Sequence, residues 1–367
     1  MTPERLGVAI LGVGGVSLAN HIPGLLLCPG VEIAALADPS PEAVARGAAL
    51  APAAAKFTDP AAALGAPGVD AVVVATPNIN HRELVTAAVR AGKHVMCEKP
   101  LALSLGDASE MHAAAVGAGV RHMTAFTYRF VPAMRYLKHL VDDGFVGRVL
   151  HLRAKRLQDW DKRGLGWRQR AAFAGTGELG DMLAHRLDFG HLLVGPITQV
   201  MARLKQVHAE RGGQPSDVED WVGCLAEFET GATGVFESAK TAAGRGDGAT
   251  GQDFCEVNGT EGSLIYELGD PHHVKRARRG GAFERVAIPR EHLTPPGSPR
   301  DPDRGDPVQT FRYDQAFEFV SAIRGGRDCR PSFKDGVRVQ AVIEAMVTSD
   351  RERREIDVAD VPFSARS

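Results

Sequence analysis

The stretch that most constrains this chain is Leu6-Gly-Val-Ala-Ile-Leu11, an apolar run without polar alternation. Such a run is the pattern of a strand buried on both faces of a parallel sheet. Gly12-Val13-Gly14-Gly15-Val16-Ser17 follows at once, a helix is expected to run to about Leu27, and 31–38 reads as a second strand ending on Asp38. That is one βαβ unit, the setting in which Gly12-x-Gly14-x-x-Ser17 reads as a dinucleotide-binding turn. Gly12 permits the tight turn and Gly14 lets the backbone approach a pyrophosphate, while the following helix N-terminus offers N–H groups to the anion. Ser17 stands where a third glycine is usual and is small enough for close helix packing. The plainer reading is a glycine-rich turn that binds nothing.

Asp38 would accept hydrogen bonds from adenosine ribose hydroxyls and repel a 2′-phosphate, which favours NAD over NADP. Neither Pro39 nor Ser40 brings a cation to receive that phosphate. Taken without the glycines, Asp38 before Pro39 is an ordinary turn aspartate.

The alternation continues with helices expected over 41–51, 82–91 and 105–119 and strands over 71–75, 93–97 and 122–125. Repeated strand and helix imply a doubly wound Rossmann sheet over 1–127. Beyond it, after a helix over 132–143, the runs 149–154, 199–207, 222–229, 234–240 and 254–267 read as successive strands, with a turn at Gly259-Thr-Glu-Gly262. The rest of the chain, 128–367, is therefore expected to be an α+β domain with a large, open, mostly antiparallel sheet. Residues 242–253 read as a glycine-rich loop, the five prolines of 294–307 as an exposed loop and not a domain boundary, and 309–324 and 333–350 as closing helices.

Composition narrows the partners. Lys plus Arg number 43 against 45 Asp plus Glu, a net charge of −2, so no general attraction for nucleic acid is expected. The basic run His272 to Arg279 has no interleaved aromatics and reads as a solvated strand or loop. No charged residue occurs between Arg5 and Glu32, but six glycines, Pro23, Pro29 and Asn20-His21 interrupt that stretch, and no membrane span is expected. Cys28, Cys97, Cys224, Cys255 and Cys329 are odd in number and widely spaced, which suggests a reducing, cytoplasmic setting and no metal site.

Two further segments could carry chemistry. Glu98-Lys99-Pro100 follows a strand on the carboxyl edge where open α/β sheets bind ligands, and Ala75-Thr76-Pro-Asn78 with His81 occupies a similar edge. The Lys99 ammonium could favour a developing alkoxide or exchange protons; a bare charged turn is the alternative. In Gly180-Asp181-Met-Leu-Ala-His185-Arg-Leu-Asp188, the i,i+4 spacing puts Asp181 and His185 on one helical face. A carboxylate near an imidazole suits a proton acceptor. Without other evidence a helix-start aspartate and a satisfied core histidine would be the better explanation.

Taken in order, the glycine turn, Ala75-Thr76-Pro-Asn78-x-x-His81, Ala91-Gly-Lys-His94-Val-x-x-Glu98-Lys99-Pro100, Tyr128-Arg129-Phe-x-Pro132, Trp167-Arg168 and Gly180-Asp181-x-x-x-His185-x-x-Asp188 resemble the Gfo/Idh/MocA family across nearly the whole chain. The resemblance implies reversible oxidation of a sugar or cyclitol hydroxyl with a nicotinamide cofactor. It implies Lys99 as the active-site lysine, Asp181 as its carboxylate partner and His185 as acid/base, with Lys99 as the other candidate for that role. It further implies Thr76, Asn78, His81 and Glu98 along the cofactor, Tyr128, Arg129, Trp167 and Arg168 near the substrate, and a homodimer or homotetramer built on open sheet faces. The family also suggests two alternatives, a glycosidase using a retained NAD for transient oxidation and a non-catalytic NAD-binding sensor.

Overall fold

Every residue of β1 (Leu6–Leu11) is buried, as its unbroken apolar sequence requires, because parallel strands pair with it on both sides. The computed structural model describes residues 5–246 and 251–358, so part of the loop expected over 242–253 lies outside the described residues. With β2 (Val31–Ala37), β3 (Ala55–Phe57), β4 (Ala71–Val74), β5 (His94–Cys97) and β6 (His122–Thr124), β1 forms an all-parallel six-stranded sheet of order β3-β2-β1-β4-β5-β6. The strand order reverses between β1 and β4, which is the topological switch point where such sheets open a crevice. The strand β3 and the short helix Pro60–Leu64 escape the sequence reading, being only three and five residues long.

Two compact units divide the chain. The first takes the chain up to Phe130 together with Thr294–Gly336, and the second takes Val131–Leu293 together with the chain from Val337 on. The proline-rich segment that reads as a mere exposed loop thus begins where the chain returns to the first unit. Proline spacing reports local backbone and carries nothing about which core a segment joins. The returning segment docks tightly: a Cβ on Gly24, in the helix Ile22–Leu27, would stand 3.0 Å from Tyr313 Cα and 3.1 Å from Ala316 Cβ. Buried Arg300 pairs with Asp314 within the same segment, its Nε at 2.9 Å and Nη2 at 2.7 Å both donating to Oδ2.

The second unit is built on a nine-stranded sheet. Its strands are β7 (Val149–Leu157), β8 (Ile197–Lys205), β9 (Glu210–Arg211) and β10 (Gln214–Pro215) as a separate small hairpin, β11 (Trp221–Phe228), β12 (Thr233–Ala239), β13 (Gln252–Gly259), β14 (Gly262–Glu267), β15 (His273–Arg278), β16 (Glu284–Ala287) and β17 (Ile356–Asp357). The order is β16-β15-β14-β13-β7-β12-β11-β8-β17, antiparallel throughout except for β12 with β7. Alternate residues such as Leu152, Ala154, Cys224, Phe236, Val257 and Leu264 are buried. The helix Ala184–Leu193 lies on that face, where Gly190 leaves room for Phe236 and Phe228 and where Phe189 meets the edge of Tyr266 at 5.9 Å. Met201 and Leu225, paired in register, remain about half exposed on the other face.

The basic run of the sequence becomes β15, and its cations are matched by neighbouring carboxylates, Lys275 with Glu267 at 2.6 Å and Arg276 with Glu284 at 2.7 Å. All five cysteines are buried thiols, none in a disulfide. Among the described residues no helix is long and apolar enough to cross a membrane, and no group of three or more His, Cys, Asp and Glu could hold a metal ion.

Candidate active site

Strand register brings the loops of the first unit to one edge. Leu11 lies opposite Ala37 and Val74, and Val74 opposite Cys97, so the residues that follow these strands emerge side by side at their carboxyl ends. These residues are Gly12, Asp38, the Ala75-Thr76 pair and the Glu98-Lys99 pair. Backbone hydrogen bonds from Gly12 to Ala37, Ala75 to Leu11 and Glu98 to Val74, of 2.8 to 2.9 Å, extend the ladder into the loops.

Gly12 has φ +90°, and a Cβ there would stand 2.5 Å from the Ala75 carbonyl oxygen, so both backbone conformation and space require glycine. Gly14 and Gly15 have nothing within 4 Å of an added Cβ, which leaves the start of the following helical turn open to a group approaching the backbone. This arrangement fits a dinucleotide pyrophosphate. The Ser17 hydroxyl, buried, donates to the Gly12 carbonyl at 2.5 Å and braces the turn from behind. Asp38 accepts from the Val13 N–H at 2.8 Å through one carboxylate oxygen and from the Ser40 N–H at 2.9 Å through the other. The Val13 side chain is buried against Gly47, and Val16 is half-buried at the helix start.

Beside the glycine turn, Asn78 is buried and Thr76 partly so. His81 lies wholly beneath this surface, with Nδ1 3.1 Å from the Pro100 carbonyl and Nε2 3.2 Å from that of Thr76. Burial pushes its ionisation below the usual histidine range, against the pull of those carbonyls. A neutral ring has one N–H and donates to one of these carbonyls only, so it braces the two loops by filling the space between them. Glu98 is met by a histidine that the sequence reading passed over: His21 Nε2 lies 2.9 Å from Glu98 Oε1. Burial alone would raise the Glu98 carboxyl, but the hydrogen bond and charge of His21, with the Lys99 charge, hold it below the usual range. Lys99 is half-buried at the same edge, and its backbone N–H points to Glu98 Oε2 at 3.3 Å.

Tyr128 and Arg129 are engaged with the returning segment of the first unit. The Arg312 guanidinium lies over the Tyr128 ring, 5.4 Å from its centre, and Arg129 pairs with Asp335 at 2.9 Å. Burial would lift the Asp335 carboxyl, and the Arg129 charge keeps it below its usual range.

In the second unit the sequence-predicted carboxylate and imidazole stand on one continuous helical run. Asp181 lies in a wide π-type turn, Leu179–Leu183, and buried His185 in the helix Ala184–Leu193 that continues it. Trp167 and Arg168 reach the same place from the short helical turn Gly166–Gln169. The Arg168 guanidinium stacks on Trp167 at 4.4 Å, and its Nε lies 3.8 Å from Asp181 Oδ1. Gln169 anchors this loop, its amide nitrogen donating to the carbonyls of Arg211, Gln214 and Pro215 at 3.0 to 3.2 Å.

The other oxygen of Asp181 faces a residue absent from the sequence reading. Lys240, 1% exposed, holds its ammonium 3.4 Å from Asp181 Oδ2 and 3.4 Å from Glu178 Oε2, over the Trp160 ring. Glu178 is fully buried and accepts a short hydrogen bond from Ser238, while Glu219 accepts from the Leu179 N–H at 2.9 Å. Burial pushes the Glu178 carboxyl up to about 7, opposed by Lys240 and reinforced by Asp181. Burial works against the Lys240 charge, but Asp181, Glu178 and Glu219 together hold its ionisation above the usual lysine value. Alternation offered a signal for it: Phe236, Ser238 and Lys240 follow one another on the buried side of β12 and its extension. No local pattern says which carboxylates meet a buried lysine.

Comparison with known proteins bears on this arrangement. The sequence pattern of an oxidoreductase family, NAD-binding Rossmann fold, matches residues 6–126, and that of the GFO/IDH/MocA C-terminal domain matches 134–265. Levoglucosan dehydrogenase of Pseudarthrobacter phenanthrenivorans is 34% identical over 80% of this chain and 81% of its own length. Inositol 2-dehydrogenase of Streptomyces avermitilis is 29% identical over 98% of this chain and 96% of its own. The solved structure of a levoglucosan dehydrogenase in complex with NADH and levoglucosan superposes with a TM-score of 0.90 at 30% identity, covering 97% of this chain and 100% of that one.

Proposed function

The chain belongs to the Gfo/Idh/MocA oxidoreductase family, and from that premise we propose an NAD-dependent dehydrogenase that reversibly oxidises a secondary hydroxyl of a pyranose, an anhydrosugar or a cyclitol. One observation carries the reading: a chain whose first unit bears an open glycine turn bears in its second a carboxylate, Asp181, held between Lys240 and Arg168 on the same helical run as His185.

When bound, NAD supplies the nicotinamide that takes up a hydride. The backbone of Gly12, Val13, Gly14, Gly15 and Val16 binds its pyrophosphate, and Asp38 binds the adenosine ribose. The Asp38 carboxylate disfavours a 2′-phosphate, so NAD is preferred over NADP. Thr76, Asn78, Glu98 and Lys99 line the cofactor, with His81 supporting their loops. The Lys99 ammonium holds the reacting hydroxyl oxygen and favours its alkoxide, His185 takes the hydroxyl proton, and Asp181 orients the imidazole. Tyr128, Arg129, Trp167 and Arg168 shape the approach of the polyol. An anhydrosugar is the first substrate to try, since levoglucosan is the name carried by relatives similar in both sequence and structure.

The test is NADH formation from NAD, and NADPH from NADP, with levoglucosan, glucose, myo-inositol, scyllo-inositol and a methyl glucoside, with product analysis. Turnover of one polyol class with NAD is expected, together with a loss of about 100-fold or more in kcat for His185→Ala. Glycoside cleavage without net NADH, or NAD binding without turnover of any of the five, counts against the dehydrogenase. Full turnover by His185→Ala moves the acid/base role to Lys99. A homodimer or homotetramer docked through the sheet face that exposes Met201 and Leu225, in a cytoplasmic setting suited to five unpaired cysteines, completes the proposal.

A further inference from the structure

The Glu178, Asp181 and Lys240 cluster has a charge arrangement that the proposed chemistry does not by itself demand. Two carboxylates flank the buried ammonium, Asp181 and Glu178 at 3.4 Å each, and the charge of Glu219 also favours its protonated form. Asp181 is the partly exposed one, with 14% of its side chain accessible, against none for Glu178. Another charged neighbour of Asp181 is Arg168, at 3.8 Å and 43% exposed. Lys240 has little freedom to move. Its backbone N–H donates to Asp220 at 2.9 Å, its carbonyl accepts from Trp160 at 2.7 Å, and the Trp160 ring covers its ammonium.

We propose that Lys240 is a positioning residue for the reaction, a fixed buried cation that orients Asp181 and keeps it ionised beside Glu178; this rests on the reading of Asp181 and His185 given above. The physical case is one of rigidity and desolvation. Arg168 is solvated and its contact with Asp181 is long, so it contributes little orientation. A wholly buried ammonium acts in a low dielectric, and its geometry is set by a β-strand end and an aromatic lid. Glu178 shares the same ammonium, so without Lys240 two carboxyl groups would face each other; the buried Glu178 would be drawn to a proton first, and Asp181 would lose the cation that favours its carboxylate form.

Lys240→Met alone could fail to fold, because it leaves buried Glu178 without its cation. The decisive variant is therefore the double change Glu178→Gln with Lys240→Met, compared with Glu178→Gln alone and with wild type. Turnover is read on levoglucosan, or on the member of the five-compound set that wild type turns over fastest, with the thermal midpoint measured in parallel. The double variant is expected to stay folded, to lose about 10- to 100-fold in kcat relative to Glu178→Gln, and to keep KM within about threefold. The acid limb of its kcat profile is expected to move up by about one pH unit. In the apoprotein, a carbon-13 titration of the Asp181 side-chain carboxyl is expected to show the same upward displacement, without reference to turnover. If the double variant regains the kcat and acid limb of Glu178→Gln, Lys240 serves only to neutralise Glu178 for folding and the proposal is overturned while the dehydrogenase reading stands. If Asp181→Asn turns over normally, the Lys240 proposal falls together with the role assigned to Asp181, while the dehydrogenase activity itself stands.

Discussion

The glycine-lined edge of the first unit and the charged cluster of the second solve opposite problems. At the first, the proposed function rests on removing side chains: Gly12 at φ +90° sits against the Ala75 carbonyl, and Gly14 and Gly15 leave the backbone bare. At the second it comes from buried side chains that satisfy one another, with Lys240 between Glu178 and Asp181 and Ser238 on Glu178. Neighbouring residues on one turn are sufficient for the first. The second needs a helix, a strand end and a loop brought together, and each charge depends on the others being in place. A site made of backbone should thus break all at once when a side chain is added, and a site made of paired charges should change with pH.

The largest effect is expected from Gly12→Val. Its side chain has no room, and NAD affinity should fall by about 100-fold or more, about 2.7 kcal/mol, measured calorimetrically beside a thermal melt to confirm folding. Binding preserved within about threefold would mean that the dinucleotide lies elsewhere.

Glu178→Gln probes the opposite kind of site through its pH dependence. The Glu178 carboxyl moves from about 4.5 in the unfolded chain to about 7 in the fold. Because the folded value is raised, the fold favours the protonated form, and that contribution is present below pH 4.5 and lost as pH rises through 7. Relative to wild type, Glu178→Gln should therefore gain stability between these limits, by at most about 3 kcal/mol above pH 7, and show no gain at pH 4. Denaturant melts across that range check it, and a flat difference would mean that Lys240 fully compensates the buried carboxylate.

Asp38→Asn should have the smallest effect. It removes the charge proposed to repel a 2′-phosphate and keeps a carbonyl to accept from Val13 or Ser40. The ratio of kcat/KM for NAD over NADP should drop about tenfold, or about 1.4 kcal/mol. An unchanged ratio would leave Asp38 as the brace of the glycine turn that its two backbone hydrogen bonds already make it.

The two sites were also unequally legible. The unbroken apolar run at Leu6, the glycines after it and the acid at Asp38 are consecutive signals, and the parallel sheet with its crevice follows from them. In the second unit, the spacing of Asp181 and His185 was visible, and so was a succession of strands. The hairpin of β9 and β10 and the edge strand β16 were not, because two to four residues carry too little periodicity. In the sequence His21 is no more than an interruption of an apolar stretch, yet in the fold it meets Glu98, which lies 77 residues away.

By itself, then, the sequence determined what depends on neighbours along the chain: the buried strands, the turn that only glycine can make, and the single helical run that carries Asp181 and His185. Tertiary structure alone decided the rest. It returned Thr294–Gly336 to the first unit, where Asp335 meets Arg129 from 206 residues away, and it set Lys240 between two carboxylates of another element. The physical reason is that hydrophobic periodicity records which side of an element is buried, whereas the partner of a buried charge is chosen by whichever opposite charge the completed fold brings within reach.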